Sequence, residues 1–286
     1  MAIRSILACA SGGTASEGMI EAACRLARRF EAHLEGFHVR PEPREMLMFA
    51  GDGFGLPLAG DWIDQFSSEA AARAAKAKAA FATAVARHRL AMAEASPKTK
   101  PSAAWREEAG YAPLLVSRRA RFFDLAVLGR SERIDEQPYT DTVEETLIHS
   151  GRPILLAPAR APITLGDAVA FGWNGSPGAV RALAAALPLL TTARAVFVIT
   201  IGDKHEESAA AVTEYLDWQG IAAIRRHIGS VLGAGPGEQL LAAARDQEAD
   251  LLVMGGYGHM PWRETLFGGA TREVIGTSLL PLLLSH

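Results

Sequence analysis

The chain has 286 residues, of which 49% are hydrophobic and 21% charged, and its formal net charge is −3. This composition excludes intrinsic disorder, and it lacks the basic excess of a dedicated nucleic-acid-binding protein. The densest apolar run, Leu279 to Leu284, is far shorter than the roughly 20 residues that span a bilayer, so we expect a soluble protein without membrane contact. Two cysteines, Cys9 and Cys24, are too few for a disulfide framework, and the few residues before Cys9 are too short for a signal peptide. We therefore expect the protein in the cytoplasm.

The first half alternates between strand and helix patterns. An apolar run at 3–10 enters a Ser-Gly turn, and apolar residues at helical spacing follow from 19 to 30. The next predicted elements are a strand at 34–39, an Ala-rich helix at 61–95, a strand at 103–107, a helix at 112–119, and strands at 124–129 and 153–156.

The second half repeats this order. A strand at 168–173 leads into Gly175-Ser176-Pro177, where Ser176 is a natural N-cap and Pro177 suits the first helical position. After that helix come a strand at 195–201, a helix at 206–219, a strand at 221–228, a helix at 237–247, a strand at 250–255, a last helix and a strand at 281–284.

Two runs recur at a nearly constant offset. The run D-L-A-V-L-G at 124–129 returns as D-L-L-V-M-G at 250–255, an offset of 126 from 124 to 250, and P-I-L-L returns as P-L-L-L at an offset of 128 from 153 to 281. Apolar strands that alternate with helices indicate a parallel sheet covered on both faces. We therefore predict two doubly wound α/β domains, 1–158 and 166–286.

The loop after Met254 is the richest candidate for a ligand site, because such sheets bind ligands at the carboxyl ends of their strands. It reads Gly255-Gly256-Tyr257-Gly258, then nine residues, then Gly268-Gly269 at the start of the last helix. Glycines let backbone N–H groups approach an anion, and a helix N-terminus adds partial positive charge. An ordinary Gly-rich turn has the same spacing, so both interpretations stay open on spacing alone.

The spacing G-x2-G-x9-G on Gly255, Gly258 and Gly268 resembles the signature of the universal stress protein family, and 169–177 is similar to that family's opening. The resemblance covers the chain as a tandem pair, strongly in the second half and weakly in the first. It implies two five-stranded, Rossmann-like domains of the adenine nucleotide alpha hydrolase-like type, with sheet order 3-2-1-4-5. It also implies a role in stress response, with ATP binding in some members and without known catalysis.

By this resemblance, the residues expected to bind a nucleotide are Asn174, Gly175, Ser176, Gly255, Gly258, His259, Gly268, Gly269, Ala270 and Thr271. Two of them depart from the ATP-binding members, because Gly269 stands where those have Ser or Thr and Asn174 where they have an acidic residue. An amide still hydrogen-bonds a ribose or base, and Gly269 still offers an N–H, so ATP stays the candidate cofactor.

The first domain has a degenerate version of the loop. Gly129 has no second glycine at the required step, and the offset of 128 places Thr140 and Asp141 at the phosphate positions. A carboxylate there would repel a phosphate. We therefore expect nucleotide binding in the second domain only, with the first packing against the second or holding a different ligand.

Other sequence motifs give weaker evidence for a catalytic or metal-binding function. The stretch 11–16 resembles the S-G-G-x-D-S loop of the ATP-pyrophosphatase family, but Ala15 stands at the aspartate of that loop. A Walker loop, a G-x-S-x-G elbow and an H-E-x-x-H motif are all missing, and His205-Glu206-Glu207 lacks a second histidine on the same helix face. The run Arg225-Arg226-His227 fits a solvated edge strand or an anionic partner. We expect no catalytic residue and no metal site, and weak ATPase activity stays open.

These observations predict a tandem universal stress-type protein that binds a nucleotide or another small molecule, with a protein partner as a further possibility. The alternative is a ligand-free interaction module with vestigial loops. Because single-copy relatives pair through their last strand, we expect Ile154–Ala157 to pair with Leu282–Ser285 in an internal pseudo-dimer of the two domains. A homodimer of whole chains stays open.

Overall fold

The structure, a computed structural model, describes residues 2–13, 15–42, 59–93, 101–130, 137–160, 163–256 and 269–286. Its contacts divide the chain into two units. The first contains Ile3–Ser150 and Ala159–Ala161, and the second contains Met1–Ala2, Gly151–Pro158 and Pro162–His286. Among the described residues, no helix is long and apolar enough to cross a membrane.

The first unit is built on a parallel sheet. Its elements are β1 (Ser5–Cys9), α1 (Ser16–Arg29), β2 (His33–Arg40), α2 (Ala59–Arg87), β3 (Ala91–Met92), β4 (Ser102–Ala109), α3 (Ala112–Ala120), β5 (Leu125–Gly129) and α4 (Gln137–His149). The strand order is β3-β4-β2-β1-β5, and each pair of neighbours in this order is parallel. The strands β1 and β5 are buried along nearly their whole length, as expected of strands covered by helices.

The second unit repeats this alternation. Its elements are β6 (Ile154–Ala157), β7 (Ala168–Gly172), α5 (Pro177–Leu190), β8 (Ala195–Ile201), a 3-10 turn (Asp203–His205), α6 (Glu206–Trp218), β9 (Ile224–Ile228), α7 (Pro236–Asp246), β10 (Leu251–Gly255), α8 (Gly269–Thr277) and β11 (Leu282–Ser285). The strand order is β6-β11-β10-β7-β8-β9, and only the β6–β11 pair of these described strands is antiparallel. The predicted α/β fold with a mostly parallel sheet is thus confirmed.

The two recurring aspartates have the same structural role. The Asp124 carboxylate accepts hydrogen bonds from the backbone N–H groups of Arg4 (2.8 Å) and Ser5 (3.0 Å), at the start of β1. The Asp250 carboxylate accepts from the N–H groups of Gly166 (2.9 Å) and Ala168 (3.2 Å), at the start of β7. Each aspartate therefore ties one central strand to the beginning of its neighbour, within its own unit.

The strand β6 pairs with β11 as expected from the sequence, and the direction is antiparallel. Leu156 lies opposite Leu282, and Ile154 lies opposite Leu284. The sequence boundaries of 1–158 and 166–286 assign this strand to the first domain, whereas the contacts group Gly151–Pro158 with the second unit.

Two predicted elements differ at their ends. The helix predicted at 61–95 ends at Arg87, because Arg89 adopts a left-handed φ of +54° and the Leu90 N–H closes the turn on the Val85 carbonyl (3.0 Å). Ala91–Met92 then forms the edge strand β3 instead of continuing the helix. The strand predicted at 221–228 begins at 224, because the Ile221 N–H still donates to the Leu216 carbonyl at the end of α6 (2.9 Å).

Candidate functional site

The turn after β7 in the second unit is held by its own side chains. The Asn174 side-chain oxygen accepts from the Ser176 N–H (3.1 Å) and from the Ser176 hydroxyl (2.7 Å). The Ser176 oxygen in turn accepts from the Ala179 N–H (3.1 Å), so Ser176 is the N-cap of α5 as predicted. Ser176 is also buried, and its role as the helix cap accounts for a polar side chain at this buried position.

The same turn is covered on one side by the 3-10 turn that follows β8. Gly175 has a φ of +69°, and a Cβ built on it would lie 2.8 Å from Nδ1 of His205. Next to it, the Trp173 indole N–H donates to the Ser208 hydroxyl (2.9 Å). A glycine is therefore required at 175 both for the backbone conformation and for the close approach of His205.

The glycines that end β10 are explained by packing. A Cβ on Gly255 would lie 2.5 Å from the backbone nitrogen of Ala179 and 2.6 Å from the carbonyl carbon of Gly178, both at the start of α5. The Gly256 N–H donates to the Ser285 carbonyl (2.8 Å). Gly255 thus allows β10 to end directly against α5, and the N–H of Gly256 is already used within the sheet.

The N-terminus of α8 is the remaining described part of the predicted loop. The helix begins at Gly269, and no atom of the described residues lies within 4 Å of a Cβ built there. Ala270 is half-buried and Thr271 is buried. Gly258, His259 and Gly268 lie outside the described residues.

A carboxylate of α8 occupies the N-terminus of the neighbouring helix. Oε2 of Glu273 accepts from the Gly237 N–H of α7 (3.1 Å), and its side chain fills the space beside Gly235 and Gly237. A helix N-terminus favours negative charge, so Glu273 stabilises α7 and joins it to α8.

The corresponding edge of the first unit is covered by a helix. After β1, the Gly12 N–H donates to the Ser16 hydroxyl (2.9 Å), and Gly12 has a φ of +79°. A Cβ on Gly12 would lie 2.7 Å from the backbone carbonyl oxygen of Arg73 in α2. Fourteen residues of α2 precede Arg73, which is about 21 Å of helix.

Gly129 of the first unit has the role of Gly255 in the second. A Cβ on Gly129 would lie 2.6 Å from the carbonyl oxygen of Ala15, just before α1. Asp141, at the position predicted to repel a phosphate, lies within α4, where its charge acts on Tyr111. Burial first, and then the charges of Asp141 and Glu145, raise the pKa of Tyr111.

No protein-family model and no curated protein matches the sequence. Among solved structures, a universal stress protein from Archaeoglobus fulgidus superposes with a TM-score of 0.72 at 15% identity, covering 98% of this chain and 97% of that one. A functionally unknown protein from Pseudomonas aeruginosa superposes with a TM-score of 0.59 at 14% identity, covering 99% of this chain and 92% of that one. The chain has the fold of a universal stress protein.

Within this universal stress protein fold, the first unit also buries a charge. Glu35 in β2 is buried, and Arg119 of α3 donates two hydrogen bonds to its carboxylate, from Nε (2.7 Å) and from an Nη (2.6 Å). Burial, and then the nearby Glu35, raise the pKa of the Cys9 thiol far above its usual range. Burial also raises the pKa of Cys24 to about 12, so both thiols are unreactive core groups.

His38 is buried at the carboxyl end of β2, and its Nδ1 lies 2.7 Å from the Ala10 carbonyl oxygen, to which it donates. Among the described residues, neither its buried Nε2 nor the buried Trp105 indole nitrogen has a hydrogen-bond partner, and the two rings stack with their centroids 6.4 Å apart. Gly36 leaves the space that Trp105 and Phe81 fill beneath α2. These contacts tie α2 to the sheet of the first unit.

Sequence reasoning missed one cluster at the carboxyl edge of the second unit. Asp203, Glu206 and His227 each present one ligand atom, and all three atoms lie within 4.8 Å of one another. In the sequence, His227 belongs to a charged run typical of an edge strand, and Glu206 belongs to a stretch that lacks the second histidine of a zinc motif. The signal that joins them is the parallel register of β8 and β9, which places His227 beside Thr200 and hence beside the turn after β8.

Proposed function

We propose that this chain is a tandem universal stress-type protein of the cytoplasm that binds ATP or a related nucleotide through its second domain, without catalysis, in stress response. The fold shared with the Archaeoglobus fulgidus protein over nearly the whole chain supports the family part of the proposal. The matching roles of Asp124 and Asp250, and of Gly129 and Gly255, support two copies of one domain.

The observation that carries the nucleotide part is the N-terminus of α8, which is open among the residues that the structure describes. The first N–H groups of a helix have no partner within the helix, and the helix dipole adds positive character there. Gly269 begins α8 with no described atom within 4 Å of a Cβ at that position, so a phosphate oxygen can approach its backbone.

Asn174 has a narrower role than the resemblance implies. Its side-chain oxygen is used by Ser176, which leaves the two N–H donors of the amide for a ribose or base. Ser176 stabilises α5 and positions Asn174. We therefore expect the phosphates at Gly269, Ala270 and Thr271 to supply most of the affinity.

The experiment is calorimetric titration of the full chain with ATP, compared with Gly269→Asp. Because Gly269 is exposed and a Cβ added there meets no described atom within 4 Å, the variant should fold normally. Its carboxylate lies where the phosphates are proposed, so we expect at least about tenfold weaker binding, for which about 1.4 kcal/mol of repulsion suffices.

The matched control is Gly276→Asp, which makes the same change near the other end of the same helix, again with no described atom within 4 Å of the Cβ. It should bind ATP as the unchanged protein does. No heat from the unchanged protein would remove the nucleotide and favour the ligand-free interaction module. Equal binding by both variants would place the nucleotide elsewhere.

A further inference from the structure

The cluster of Asp203, Glu206 and His227 lies at the carboxyl ends of β8 and β9, in the second unit. Gly202, with a φ of +70°, turns the chain after β8 so that Asp203 and Glu206 follow at the start of the 3-10 turn and of α6. His227 comes from the neighbouring strand β9. Residues from three elements therefore converge on one point.

The spacing of the ligand atoms suits a metal ion. Nε2 of His227 lies 3.2 Å from a carboxylate oxygen of Asp203 and 3.8 Å from one of Glu206. Zinc is bound at about 2.0–2.2 Å by nitrogen and oxygen in a tetrahedron, which separates neighbouring ligand atoms by about 3.4 Å. The two distances from His227 bracket this value, and all three ligand atoms lie within 4.8 Å of one another, so they can bind one ion after a modest movement of the exposed carboxylates.

The imidazole is also oriented from behind. Thr200 is buried in β8, and its hydroxyl lies 3.3 Å from Nδ1 of His227. Thr200 and His227 are opposite each other in the parallel register of the two strands. A hydrogen bond at one ring nitrogen directs the other toward a ligand, which is the usual arrangement around metal-binding histidines.

We propose that Asp203, Glu206 and His227 bind a divalent transition-metal ion such as Zn²⁺. An imidazole with two carboxylates favours Zn²⁺, Co²⁺ or Ni²⁺ over Mg²⁺ and Ca²⁺, which prefer oxygen ligands only. All three side chains are accessible, with Asp203 90% exposed. Three protein ligands on an accessible edge leave a fourth position for water or for a group of a bound molecule, unlike a closed structural zinc site.

The test is calorimetric titration of the metal-free full chain with Zn²⁺, followed by titration with Co²⁺ read by its visible absorption. We expect one ion per chain at this cluster, and a cobalt spectrum of a nitrogen- and oxygen-bound ion. His227→Gln should lose this binding, and Thr200→Val, which removes only the orienting hydroxyl, should weaken it by about tenfold. Thermal melts would verify that each variant is folded.

The matched control is His149→Gln in the first unit. His149 forms an exposed pair with Glu145 at 3.7 Å, so the substitution removes a histidine–carboxylate contact but leaves the proposed site intact. This variant should bind Zn²⁺ like the unchanged protein. The proposal is overturned if the unchanged chain binds neither ion, or if His227→Gln and Asp203→Asn bind both ions as tightly as it does; in that case the cluster is an exposed ion-pair network only.

Discussion

The two units have the same order of elements but different carboxyl edges. In the first, the helix after the second strand is α2, with 29 residues, and its backbone at Arg73 lies against the turn after β1. In the second, the equivalent helix α6 has 13 residues, and the turn after β7 is approached by the His205 side chain instead. The turn after the first strand of each alternating pattern is thus covered by helix backbone where this helix is long, as in α2, and by a side chain where it is short, as in α6.

The two kinds of cover have different consequences for the carboxyl edge of each sheet. Backbone packed on backbone, as at Gly12 and Arg73, leaves no space for even a methyl group and makes the edge part of the core. A side chain such as His205 can change rotamer, and the helix start at Gly269 is open among the described residues. The first unit thus closes this edge with backbone packing, whereas the described part of the second unit leaves a side chain and a helix start there.

The largest expected effect tests the buried charge of the first unit. Arg119→Met leaves the buried Glu35 carboxylate without its partner, so we expect unfolding of the first unit to become easier by about 3–5 kcal/mol in urea denaturation. The substitution lies in the first unit, and the buried polar side chains described in the second unit are uncharged. We therefore expect the urea unfolding transition of the second unit to be nearly unchanged.

The control for this substitution is Arg106→Met. Arg106 donates to Glu108 at 2.6 Å, the same distance as the shorter Arg119 contact, but its side chain is 49% exposed. An exposed pair contributes about 0–1 kcal/mol, so the effect should be small. Equal losses from both substitutions would mean that burial of Glu35 does not distinguish the first unit.

A smaller effect tests what the units share. Gly129→Ala and Gly255→Ala should each destabilise their own unit by about 1–3 kcal/mol, because the added Cβ meets backbone atoms at 2.5–2.6 Å and the helix start must move. Gly276→Ala, whose Cβ meets no described atom, should be neutral or stabilising by up to about 1 kcal/mol. Thermal unfolding measures all three, and harmless substitutions at 129 and 255 would contradict the packing role of these two glycines.

The smallest effect is a chemical one. Both cysteines of the chain lie in the first unit, so thiol labelling reports on that unit alone. With a pKa of about 12, Cys24 is about one part in 10⁴ thiolate at pH 8 in the folded state. Ellman's reagent should therefore find no reactive thiol in the native protein and two in denaturant. Rapid native labelling would show that the first unit opens readily, against the close backbone packing at Gly12 and Arg73.

The sequence was most informative where a structure depends on neighbours in the chain. Ser176 and Pro177 mark the start of α5 because a cap needs only residues three apart. The end of α2 could not be predicted in this way. Its left-handed residue is Arg89 where glycine is usual, and helix-favouring alanines continue beyond it.

The candidate site shows the same division. In the sequence, Gly255 is interpreted as part of an anion-binding loop. In the structure, a glycine is required there because a Cβ would collide with Ala179, which lies 76 positions earlier and contacts Gly255 only in the folded protein. His227 and Asp203 are likewise brought together by strand register, which no local spacing encodes. The roles of such residues depend on long-range packing, and the residue pattern of a single strand or helix carries no information about that packing.

The pairing of β6 with β11 decides how the halves can be exchanged. A chimaera joined in the proline-containing stretch after residue 158 would take β11 from one parent and β6 from another. The leucines that face each other across this strand pair would then come from different proteins. A junction near Ser150 keeps both strands from the same parent. In recombination between relatives of this chain, a crossover just before Gly151 should therefore keep the facing leucines of this pair matched, and a crossover a few residues later should not.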